Sequence, residues 1–92
     1  MKEELKIAGA LSNDLFRIAN MAHAGSSNGV DKFLVEAKKN AEMLKDFDVD
    51  GYLLDIAKDV GSNDSVDLRR AELYLMYGVL LQNWVVKSLT AS

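Results

Sequence analysis

From Ala71 to Ser92 the only charged side chains are Glu72 and Lys87. Between them runs Leu73-Tyr74-Leu75-Met76-Tyr77-Gly78-Val79-Leu80-Leu81, then Gln82-Asn83, then Trp84-Val85-Val86. A surface helix keeps one apolar stripe and one polar face, whereas a helix apolar all round has to be covered on every side. A chain of 92 residues has little other material for the purpose. The segment is therefore expected either to form the centre of a helical bundle or to be completed by a second subunit. Gln82-Asn83 interrupts the apolar run well short of the roughly 20 residues that span a bilayer. The expectation is a soluble chain without a membrane partner.

A chain of this length makes a single domain, 1–92, and buries only about 60–65% of its unfolded surface, so its stability margin is thin. Hydrophobic residues make up 49% and charged residues 27%, a pairing that excludes a disordered chain and suits a core continued across an interface. The net charge is −3 and the basic residues are scattered, so the electrostatic footprint of nucleic-acid binding is missing. With no cysteine there are no disulfides, thiolate nucleophiles or zinc–thiolate sites, and a cytoplasmic location is expected. Met1-Lys2-Glu3-Glu4-Leu5 is acidic and soon amphipathic, unlike a signal peptide.

Proline is absent, and two turn compositions, Gly25-Ser26-Ser27-Asn28-Gly29 and Gly61-Ser62-Asn63-Asp64-Ser65, cut the chain into three pieces. In 2–24, Leu11, Leu15, Ile18 and Ala22, with Ala8, Phe16 and Ala19, share one helical face, and Gly9 is its weak point. In 29–46, Val30, Phe33, Leu34, Ala37, Ala41 and Leu44 form a face opposite Lys32, Glu36, Lys39 and Glu42, with Asn28 as N-cap. A shorter helix over 51–60 turns Leu53, Ile56, Ala57 and Val60 inward, and Gly61 suits the left-handed residue that closes it. Asp64 or Ser65 then caps the last helix, with Asp67 in its first turn. The expected fold is all-α: a bundle of four helices, the third short, with brief connections that favour antiparallel neighbours.

Asp46-x-Asp48-x-Asp50-Gly51 resembles the opening of an EF-hand calcium loop, with oxygens at positions 1, 3 and 5 and glycine at 6. The resemblance stops at about eight residues, because the bidentate acid of that loop would fall on Ala57. Asp46, Asp48 and Asp50 are therefore expected to cap the third helix, with weak calcium binding as the alternative. The same stretch, Asp50-Gly51-Tyr52-Leu53-Leu54, is similar to a turn of SAM domains, which are helical interaction modules. Segment 46–67 holds seven aspartates against Lys58 alone and is a candidate docking face for a basic partner.

His23 is the only histidine, and Met21-Ala22-His23-Ala24-Gly25-Ser26 resembles the phosphoryl-accepting segment of histidine phosphotransfer modules. No lysine follows at that family's spacing, and the glycine comes two residues early, where it ends the helix. The ordinary role is an interaction with the helix dipole, and phosphotransfer is the signalling alternative. No triad, phosphate-binding loop or dinucleotide fingerprint is present. The chain is expected to be no enzyme and to need no cofactor.

On the last helix Tyr74, Tyr77, Leu81, Trp84 and Val85 line one stripe, and Leu73, Met76, Leu80 and Lys87 mark a second. One stripe can serve the core and the other a partner. The expected function is a non-enzymatic interaction or regulatory module, homodimeric through this helix or bound by it to another protein, with Tyr74, Tyr77, Leu80, Leu81, Trp84 and Val85 as interface candidates.

Overall fold

A computed structural model of the protein describes residues 2–91; Met1 and Ser92, the two ends of the expected domain, lie outside them. Four helices and no strand occur among the described residues: α1 Glu3–His23, α2 Ser27–Leu44, α3 Gly51–Gly61 and α4 Leu68–Thr90. The all-α expectation holds.

α1 lies against both α2 and α4, and α3 lies against α2. The pairs run antiparallel. Asp14 meets Asn40 and Gly29 meets Met21 along α1–α2, while Lys38 reaches Asp64 beyond the end of α3. Along α1–α4, His23 at the end of α1 meets Glu72 near the start of α4, and Ser12 meets Gly78 midway.

The centre of the bundle is α1, not α4. Among the described residues α1 buries nine, including Ala8, Leu11, Leu15, Ile18 and Ala19 at 0% exposure, against four on α4. Small side chains on α1 admit neighbours on two sides, so the apolar surface of α4 meets cover on one side only. The faces expected on α2 and α3 are buried as expected, with Phe33 half-exposed and stacked under the Arg17 guanidinium.

Three boundary expectations are corrected. The left-handed residue is Gly25, at φ 76°, and Gly61 stays in the last turn of α3. Gly25 closes a Schellman motif, in which Ser26 N–H donates to the Met21 carbonyl and Gly25 N–H to that of Ala22. That turn delivers Ser26 rather than Asn28 to the N-cap of α2, where its hydroxyl accepts from Gly29 N–H. At α4 the cap is Asp67, three residues later than Asp64, and its carboxylate accepts from Arg70 N–H at 2.8 Å.

Gly9 is half-exposed, and a Cβ built there meets nothing within 4 Å. Gly9→Ala is accordingly expected to stabilise the fold by about 0.5–1 kcal/mol, since only backbone freedom of the unfolded chain is lost. Urea denaturation reads this directly, and a loss of stability would show that the site is tighter than described.

Candidate functional site

The rotation of α4 about its own axis decides which of its two apolar stripes is left outside. Two sets of contacts hold that rotation. First, Gly78 has no side chain, so α1 comes close. Ser12 Oγ donates to the Gly78 carbonyl at 2.8 Å, and a Cβ on Gly78 would stand 2.7 Å from Phe16 Cε1. Ala71 is buried on the same side, and Tyr74 and Leu81 sink to 0% exposure.

Second, Asp59 on α3 gathers donors from α4. Arg70 Nη1 donates to both carboxylate oxygens at 3.1 and 3.2 Å, and Tyr77 Oη donates to Oδ2 at 2.5 Å. Asn63 Nδ2 donates to Tyr74 Oη at 2.8 Å. Burial, then the bond to Asp59 and its charge, push the Tyr77 hydroxyl up to about 12, so it stays a proton donor at any ordinary pH. Burial likewise raises Tyr74. The cluster pins Tyr77 and Tyr74 toward α3.

The opposite side of α4 is then turned outward. Leu68, Met76, Val79 and Val86 are 58, 51, 48 and 52% exposed, with Leu80 at the edge of the same face. No charged residue interrupts this face between Glu72 and Lys87.

Of the six interface candidates, the structure gives Tyr74 and Leu81 to the intramolecular core. Tyr77, Trp84 and Val85 are half-buried and pack against that core, leaving Leu80 as the one exposed member. Gly78 and Ala71, the small residues that admit α1, lie on the side of the aromatic stripe, which turns that stripe toward the core. Val79, Val86 and Leu68 are exposed beside them; with Glu72, Met76 and Asn83 most of this face recurs by threes and fours, a spacing present in the sequence.

The other candidates separate. Asp46, Asp48 and Asp50 are all exposed, and among the described residues no group of three His, Cys, Asp or Glu is set to hold a metal ion. Asp50 occupies the N-cap of α3, yet its side chain makes no capping bond; its carbonyl takes the Leu53 and Leu54 amides. Of the seven aspartates in 46–67, Asp59, Asp64 and Asp67 are engaged among the described residues. Asp59 holds α4, Asp67 caps it, and Asp64 accepts from Lys38 Nζ at 2.8 Å, which keeps its carboxyl below the ordinary range. His23 is exposed, with Glu72 Oε1 3.2 Å from its Nε2, and a carboxylate there opposes a phosphoryl group on that nitrogen.

Asp14, not singled out from sequence, is almost fully buried between α1 and α2. Burial raises its carboxyl against the Asn40 hydrogen bond at 2.8 Å, which lowers it. The carboxylate is accounted for by that bond and by Arg17, so the pair ties two helices together. An open groove of about 470 Å³ lies between the α1–α2 turn and the start of α4, but Asp67 on its wall is already a cap.

Among the described residues these features make an all-α bundle of four helices with an apolar face of α4 left exposed. No protein-family model, curated protein or solved structure matches it. Among the described residues no helix is long and apolar enough to cross a membrane.

Proposed function

We infer that this chain is a non-catalytic protein–protein interaction module that self-associates through the outward face of α4. The observation that supports it is the exposed row Leu68, Met76, Val79 and Val86. Met76, Val79 and Val86, with Leu80 at their edge, leave apolar side chains in water on one face, and large exposed apolar patches mark contact sites. Met in the row adapts to whatever packs on it. The absence of cysteine suits a cytoplasmic setting.

The test is absolute mass by light scattering on a sizing column over a hundredfold range of concentration. The wild type should run as a dimer, and Val79→Glu should weaken it by roughly a hundredfold, since two copies each bury a charge at the contact. Circular dichroism should be unchanged, because Val79 lies outside the core. A wild type that stays monomeric throughout the range refutes self-association.

A further inference from the structure

The two charges that bound the outward face are placed symmetrically. Glu72 lies seven residues before Val79, and Lys87 lies seven residues after Leu80. At 1.5 Å per residue each stands about 11 Å from the midpoint of the Val79–Leu80 step. Both are exposed, and Glu72 also contacts His23 at the end of α1.

We propose that a second copy packs α4 against α4 in antiparallel register about a twofold axis through the Val79–Leu80 step. This rests on the self-association reading above and adds the orientation and register of the pair. In that arrangement Glu72 of each copy faces Lys87 of the other. Val79 meets Leu80, Met76 meets Asn83, and Leu73 meets Val86, each contact occurring twice, as a twofold interface requires. Arg69, one turn before Glu72, comes level with Thr90 of the second copy, one turn from that copy's Lys87, so Glu72 is the residue that offsets Lys87 there. A parallel pair does the reverse. It sets Glu72 on Glu72 and Lys87 on Lys87, which is repulsive at both ends. The charge pattern is therefore self-complementary in one orientation only. Glu72 can serve it while contacting His23, since its side chain is still 66% exposed.

Glu72→Lys, Lys87→Glu and the double variant Glu72→Lys/Lys87→Glu distinguish the orientations by sedimentation equilibrium at low salt. For the antiparallel pair each single reversal places like charges together at both ends and should weaken the dimer by about tenfold, and the double reversal should return it to wild-type strength. All these positions are exposed, and circular dichroism checks that every variant keeps its helices. If both single variants dimerise as tightly as wild type while Val79→Glu dissociates, α4 is the contact but the antiparallel register is wrong. A wild type that never dimerises overturns the register and the self-association reading together, and its monomeric mass separates that case from the first.

Discussion

Tyr74→Ala is expected to lose about 3–5 kcal/mol of unfolding free energy, the range for truncating a large buried aromatic. Tyr74 is 0% exposed and belongs to the cluster that joins α4 to the rest of the core. A domain of this length has about 5–14 kcal/mol in all, so the variant should sit near the edge of folding at room temperature. Tyr74→Phe keeps the ring and removes only the hydroxyl that accepts from Asn63, and should lose about 1 kcal/mol. Chemical denaturation followed by circular dichroism measures both. A loss below about 1 kcal/mol for Tyr74→Ala would return this ring to the list of interface candidates. The contrast with Val79→Glu matters most: one helix carries a position that supports the fold and, five residues on, one expected to serve only association.

Gly78→Leu is expected to destabilise by about 1–3 kcal/mol, in spite of the roughly 1 kcal/mol that leucine gains over glycine in a helix. The first added carbon already meets the Phe16 ring at 2.7 Å. Relief by moving α1 away would break the bond from Ser12 Oγ to the Gly78 carbonyl and leave a buried hydroxyl unpaired. Combining Gly78→Leu with Phe16→Ala opens the space, so the pair should cost less than the sum of the single changes. Additive losses in that double-mutant cycle would place the strain elsewhere.

Helices α2 and α3 were legible because a charged flank leaves their apolar period unambiguous. Val30, Leu34, Ala37, Ala41 and Leu44 follow the helical repeat, and so do Leu53, Ile56, Ala57 and Val60. In α4 both stripes are apolar, so periodicity cannot say which faces inward, and side-chain size decides instead. Gly78 and Ala71 fit close to α1, and Met76 and Val79 are left outside. Tyr74 and Tyr77 are of a type enriched at contacts, and their hydroxyls bond Asn63 and Asp59 within the chain, a relation that periodicity does not carry. The Asp59 cluster joins positions 11 and 18 apart across a turn, a relation without local periodicity. Cap positions shifted because Gly25-Ser26-Ser27-Asn28 offers several candidates, and the left-handed residue selects among them.

The pairing of α1 with α4 joins positions far apart in the chain, 66 where Ser12 meets Gly78, whereas α1–α2 and α2–α3 are neighbours in sequence. Hairpins of adjacent helices close small loops and form quickly; bringing α4 back to α1 closes the large one. Until that happens α1 presents an open groove shaped by Ser12 and Phe16, and any copy of α4 fits it equally well. Exchange of the last helix between molecules is thus the misassembly that this topology invites during folding at high concentration.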